Sequence, residues 1–133
     1  MDEALEVPYI LPDGRPLASL KQEEIQVFLY GFEAAEMQQV VMAARQVHNM
    51  IGQLVTNRGV VKAAARKAKI IPANASAEQR EALTETLENM YANFNETGDL
   101  IEELKGVSFT KGKDGVKLPN ILALSRKVQK LTG

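Results

Sequence analysis

The sequence predicts a mainly α protein: a long antiparallel helical hairpin with a short basic connecting helix, a small β-hairpin and a C-terminal helix. Three observations carry this. Ser19-Leu20-Lys21-Gln22 and Ser76-Ala77-Glu78-Gln79 both read as capping boxes, a Ser at N-cap and a Gln three residues on, each ahead of a long amphipathic stretch. Leu83, Leu87, Met90, Phe94, Thr97, Ile101 and Leu104 step by four and three without a break, the rhythm of a helix that packs along one seam. Finally, Gly112-Lys113-Asp114-Gly115 separates two short runs rich in β-branched and aromatic residues.

Residues 1–18 read as an extended arm. Pro8, Pro12 and Pro16 forbid a regular helix, and Pro12-Asp13-Gly14 is a turn signal. Between the prolines lie Val7, Tyr9, Ile10, Leu11 and Leu17, too apolar for a free tail, so the arm is expected to bind either its own domain or a neighbouring subunit. The remainder, 19–133, is expected to form a single helical domain. Its first helix runs over about 19–57, with Met37, Val40, Ala44, Val47, Ile51 and Leu54 on one side. Ile25, Phe28, Phe32 and Ala35 follow the same rhythm in another phase, and the slip near Ala34–Glu36 gives the two halves different partners.

A basic segment follows, with Arg58, Lys62, Arg66, Lys67 and Lys69 and no acid between residues 57 and 75. Gly59 either ends the first helix, leaving a separate helix over about 60–70, or is spanned by a continuous helix at about 1 kcal/mol. The helix over about 76–105 has a polar residue, Thr97, in its seam beside the poor helix former Gly98. The β-hairpin over about 107–118 needs a surface to pack on, since two isolated strands are marginal in water. Pro119 then opens the last helix, about 119–131, with Ile121, Leu124, Val128 and Leu131 as its apolar stripe.

Composition narrows the function. The chain has 133 residues and a net charge of −1, but the charge is arranged in blocks. Residues 1–56 carry net −5, 57–75 carry +5, 76–106 carry −6 and 107–133 carry +5. With no Cys, thiolate chemistry, disulfides and Cys-based zinc sites are excluded. The sole His, His48, has Arg45 and Ala44 rather than carboxylates one turn earlier, so no di-iron pattern is present and no cofactor or metal is expected. The stretch Gly106–Asp114 fails the P-loop pattern in spacing, in its last residue and in following a helix. The carboxylates of the acidic helix have no feature marking a catalytic pair, and no catalytic residue is assigned.

These features point to a non-enzymatic structural or assembly protein that works through protein–protein contacts in a homo-oligomer or larger particle. A bacteriophage virion component is one such setting. Two alternatives stand beside it: a nucleic-acid-associated protein that uses the basic segment 57–72, and a helical chaperone or adaptor. Against nucleic acid, the chain is not basic overall and residues 57–75 hold no aromatic for base stacking. Opposed charge blocks instead suit the choice of orientation and partner. The N-terminus resembles neither a signal nor a transit peptide, and no apolar run spans a bilayer, so no membrane partner is expected and the setting is the cytoplasm or a particle assembled there.

Overall fold

The computed structural model describes residues 5–133, so the first four residues of the expected arm lie outside it. The elements are strand β1 (Leu5–Pro8), a 3₁₀ turn (Leu17–Ser19), helices α1 (Gln22–Phe28), α2 (Ala34–Ala68) and α3 (Ala77–Lys105), strands β2 (Ser108–Gly112) and β3 (Gly115–Lys117), and helix α4 (Ile121–Thr132). The antiparallel hairpin of α2 and α3 dominates, as the periodicity predicts.

The arm packs on its own domain. β1 pairs antiparallel with β2, Val7 opposite Phe109, to give a three-stranded sheet in the order β1-β2-β3. This third strand supplies the support that the β2–β3 hairpin lacks alone. Pro8 is tolerated because β1 is an edge strand. Beyond it, Tyr9 N–H donates to Val107 O, and the chain turns at Gly14, φ +88°, so that Leu17 N–H reaches Tyr9 O. Val7, Tyr9, Leu11 and Leu17 are buried in the core with Phe109, and Ile10 is half-buried against it. The Tyr9 hydroxyl meets His48 Nδ1 at 3.1 Å, and burial pushes the phenol above its ordinary pKa.

The expected first helix over 19–57 is broken. Ser19 does not cap it; its hydroxyl donates to Pro16 O. Lys21 occupies the N-cap position, with its backbone N–H on the Glu24 carboxylate. α1 then stops after Phe28. The chain reverses through Gly31, φ +95°, and α2 starts afresh behind Glu33, whose N–H donates to Glu36 Oε1. The reason is packing: the turn buries both Leu29 and Phe32, which a continuous helix would carry away from the core. The phase slip marked this place. Gly31→Ala is expected to destabilise the protein by about 1–3 kcal/mol, because the position demands a backbone that L-residues resist. Urea denaturation of the variant checks this.

Downstream, the expected separate helix over 60–70 does not form. α2 runs through Gly59 to Ala68 and is about 50 Å long, so the basic segment is its last third. Gly59 has no capping role here and nothing lies within 4 Å of where its Cβ would be. Spanning it costs about 1 kcal/mol relative to Ala. α3 begins as expected, with Gln79 N–H on the Ser76 hydroxyl and Ser76 N–H on Gln79 Oε1. Thr97 is fully buried in the seam, and its hydroxyl donates back to the carbonyls of Asn93 and Phe94. That bond removes the cost of a buried hydroxyl.

α4 starts two residues later than Pro119 at N1 would require. Asn120 caps it, accepting from Ala123 N–H. It packs against α2 and α3 through Leu124 and Val128, and Asn93 donates to Leu131 O. Asn57 in turn donates to Asn93 Oδ1. The basic block 107–133 meets both acidic blocks: Lys127 pairs with Glu103, and Lys111 with Glu36, whose carboxyl is held below the usual range by that hydrogen bond. No helix of the described residues is long and apolar enough to cross a membrane.

Candidate functional site: a charged groove on the projecting hairpin

Burial divides the hairpin into two halves. The base is the core: Val40, Ala43, Ala44, Val47, Met50 and Leu54 of α2 pack on Leu100, Ile101 and Leu104 of α3. Beyond it the sheet and α4 end, and the two helices continue alone. Among residues 58–92, Ala65 alone is buried. Leu83, Leu87 and Met90, in the same seam positions as Ile101 and Leu104, are only half covered. Val60, Ile70 and Tyr91 are exposed.

Along one side of this projection, α2 and α3 enclose a groove made of two adjoining hollows of about 360 and 370 Å³. Its floor is Val61, Ala65 and Phe94, and its α2 wall is Arg58, Lys62, Arg66 and Lys69. Lys67 is exposed and lines neither hollow, so four of the five basic residues share the site and one does not. From α3 come Tyr91 and Asn95 nearer the tip, and Glu102 and Lys105 toward the base.

Arg58 differs from the other bases. Its guanidinium stacks 3.8 Å from the centre of the Phe94 ring and fills the space a side chain at Gly98 would occupy. Its Nε is buried with no hydrogen-bond partner, and the ring face compensates in part for that loss. Arg58 is therefore a packing residue, and Gly98, a weak helix former, is the residue that admits it. Lys69 reaches back toward Tyr91, its ammonium 5.5 Å from the ring.

The charges of this half are unmatched among the described residues. Among the described residues, none of Arg58, Lys62, Arg66, Lys67 and Lys69 has a carboxylate within 4 Å, whereas both ion pairs joining α4 or the sheet to the hairpin lie at its base. α3 carries its own stripe alongside: Glu78, Glu81, Glu85 and Glu88 follow at three- and four-residue steps and form no ion pair either. Folding the chain into a hairpin thus sets a basic helix beside an acidic one without neutralising either.

Sequence reasoning located the basic stripe but not Tyr91, Phe94 and Gly98. They come from the other helix, and only the register of α2 against α3 brings them to the stripe. The arm residues Val7, Tyr9, Ile10, Leu11 and Leu17 line neither hollow of this site and belong instead to the core. Among the described residues no group of three His, Asp or Glu is placed to hold a metal ion. No family model, no curated protein and no solved structure matches this chain.

Proposed function

We propose that the protein is a non-catalytic assembly subunit, acting through protein–protein contacts in a homo-oligomer or larger particle. The observation that supports this is the projecting half of the α2–α3 hairpin. A helix pair with half-covered seam residues leaves apolar surface that water solvates poorly. Two long unmatched charge stripes beside that surface add little to the stability of the monomer, but they discriminate strongly among partners. Both features suit a surface made to be covered by protein.

A nucleic-acid reading draws on one observation of its own: Tyr91 and Phe94 bring aromatic rings to the basic wall. The ring faces are taken, however, Phe94 by Arg58 and Tyr91 in part by Lys69. Glu102 in the groove and the acidic stripe along α3 repel phosphates.

Size-exclusion chromatography with light scattering and two-wavelength absorbance separates the readings, since a chain with no Trp and three Tyr makes bound nucleic acid conspicuous. A defined multimer free of nucleic acid is expected. A monomer at all attainable concentrations would overturn the assembly reading, and a nucleic-acid-laden species that disperses in salt would replace it.

A further inference from the structure

We infer that the groove side of the projecting hairpin is a self-association surface, on which a second copy of this chain docks about a two-fold axis running parallel to α2 and α3. The inference rests on the assembly reading and adds to it a surface, an occupant and a symmetry.

Charge layout selects the occupant. On the groove side, the α2 edge is basic through Lys62, Arg66 and Lys69. Stepping back from Tyr91 along α3 by one turn reaches Glu88 and by three turns Glu81, with Glu85 between them in sequence, so the α3 edge is acidic. The surface therefore carries both halves of a complementary pair side by side. A surface of that kind is complementary to itself under a two-fold rotation, the condition for an isologous dimer.

The same layout selects the axis. Two hairpins can meet face to face about a two-fold across the helices or about one along them. The first lays α2 on α2 and α3 on α3, setting like charges against each other. The second lays each α2 on the other copy's α3, base against acid, with both tips pointing the same way.

Register agrees with the second arrangement. Rotation about an axis along the helices preserves height, so each residue of α2 meets the part of α3 level with it in its own chain. Within one chain, Lys62, Arg66 and Lys69 line a hollow with Tyr91, Phe94 and Asn95, the Lys69 ammonium is 5.5 Å from the Tyr91 ring, and the Arg58 guanidinium lies against Gly98, so the basic wall is level with the segment from about 87 to 95. That segment holds Glu88, and Glu85 follows one turn nearer the tip. Val55, 56% exposed, and Tyr91, 43% exposed, lie on the same side and would be covered. Gly59, where an added Cβ would meet no described residue outside its own stretch of helix, leaves α2 open to close approach there.

Charge swapping tests the inference. One variant carries Arg66→Glu and Lys69→Glu, a second carries Glu85→Lys and Glu88→Lys, and a third carries all four changes. All four positions are exposed, and circular dichroism verifies that each variant keeps its helices. Sedimentation equilibrium is then run on each. Each two-site variant alone is expected to associate at least tenfold more weakly than the wild type, because its homodimer opposes like charges. An equimolar mixture of the two is expected to regain the wild-type mass, and so is the four-site variant, because both restore base against acid. A milder variant, Arg66→Gln with Lys69→Gln, is expected to weaken association by less than the reversal does.

A wild type that is multimeric and indifferent to both reversals overturns this interface while leaving the assembly reading standing. A wild type that is monomeric throughout overturns both. Nucleic acid that is lost with the first variant and not regained on mixing overturns the inference in favour of phosphate binding.

Discussion

Removing residues 5–11 is expected to unfold the protein rather than merely release a neighbour. Val7, Tyr9 and Leu11 are buried in the chain's own core. At about 1.5–3 kcal/mol for each buried apolar side chain, the three contribute on the order of 5–8 kcal/mol. A domain's whole net stability is about 5–15 kcal/mol. Deletion also removes the strand that pairs with β2, leaving β2 and β3 as a two-stranded hairpin over an uncovered Phe109. Thermal unfolding followed by circular dichroism should lose its cooperative transition. Point changes give a graded check. Tyr9→Ala is expected to cost about 3–5 kcal/mol, as truncations of large buried rings do. Tyr9→Phe removes only the contact with His48 and is expected to cost about 0.5–1.5 kcal/mol. A truncated chain that melts with the wild-type transition would mean that the arm is not part of the core. The practical consequence is that arm deletion cannot serve as an assay of assembly, since any change in mass would follow from unfolding.

The arm also shows where sequence reading reaches its limit. Its prolines and apolar residues state that it must pack, and they do not state on what. The choice between its own domain and a neighbour depends on β2 offering a free edge at the right distance, a property of the tertiary fold. The break between α1 and α2 was half legible. The slip in apolar phase marked the place, but the capping pattern at Ser19 drew the helix start two residues early, and Gly31 gave no separate signal. At Gly59 the sequence left two structures open, and the continuous one formed because no capping contact competes with helix propagation there. Four of the five basic residues fall on one side by spacing alone, because they follow one another along one helix and its C-cap, and Lys67 falls off that side. The surroundings of this stripe were not legible, because Tyr91, Phe94 and Gly98 are 22 or more residues away and reach it only through the α2–α3 register. Arg58 illustrates the difference: by spacing it belongs to the stripe, and by contact it belongs to the packing between helices.

The repeat along α3 leads to the second large effect, because equal spacing conceals unequal depth. Leu104 and Leu87 hold equivalent seam positions, yet Leu104 is fully buried and Leu87 half covered. Leu104→Ala leaves a cavity in the core and is expected to cost about 2–5 kcal/mol. Leu87→Ala opens a surface site that solvent fills, so it loses part of a transfer energy and little more, about 1 kcal/mol. Urea denaturation of dilute protein should therefore move the midpoint several times further for the first variant than for the second, with unchanged slope. The ranking is expected to hold only where the chains are apart. Anything that binds the folded state alone stabilises it by mass action, a second copy included. If hairpins associate along their projecting halves, raising the protein concentration should raise the wild-type midpoint, and the Leu87→Ala cost should grow with it as its site becomes covered. The Leu104→Ala cost, set within one chain's core, should stay constant. Two variants of one repeat, measured at two concentrations, thus separate the part of the seam that folds the chain from the part left for a partner. A Leu87→Ala cost equal to that of Leu104→Ala in dilute solution would show instead that the projecting half is as well packed as the base, and the case for a second copy on it would fail.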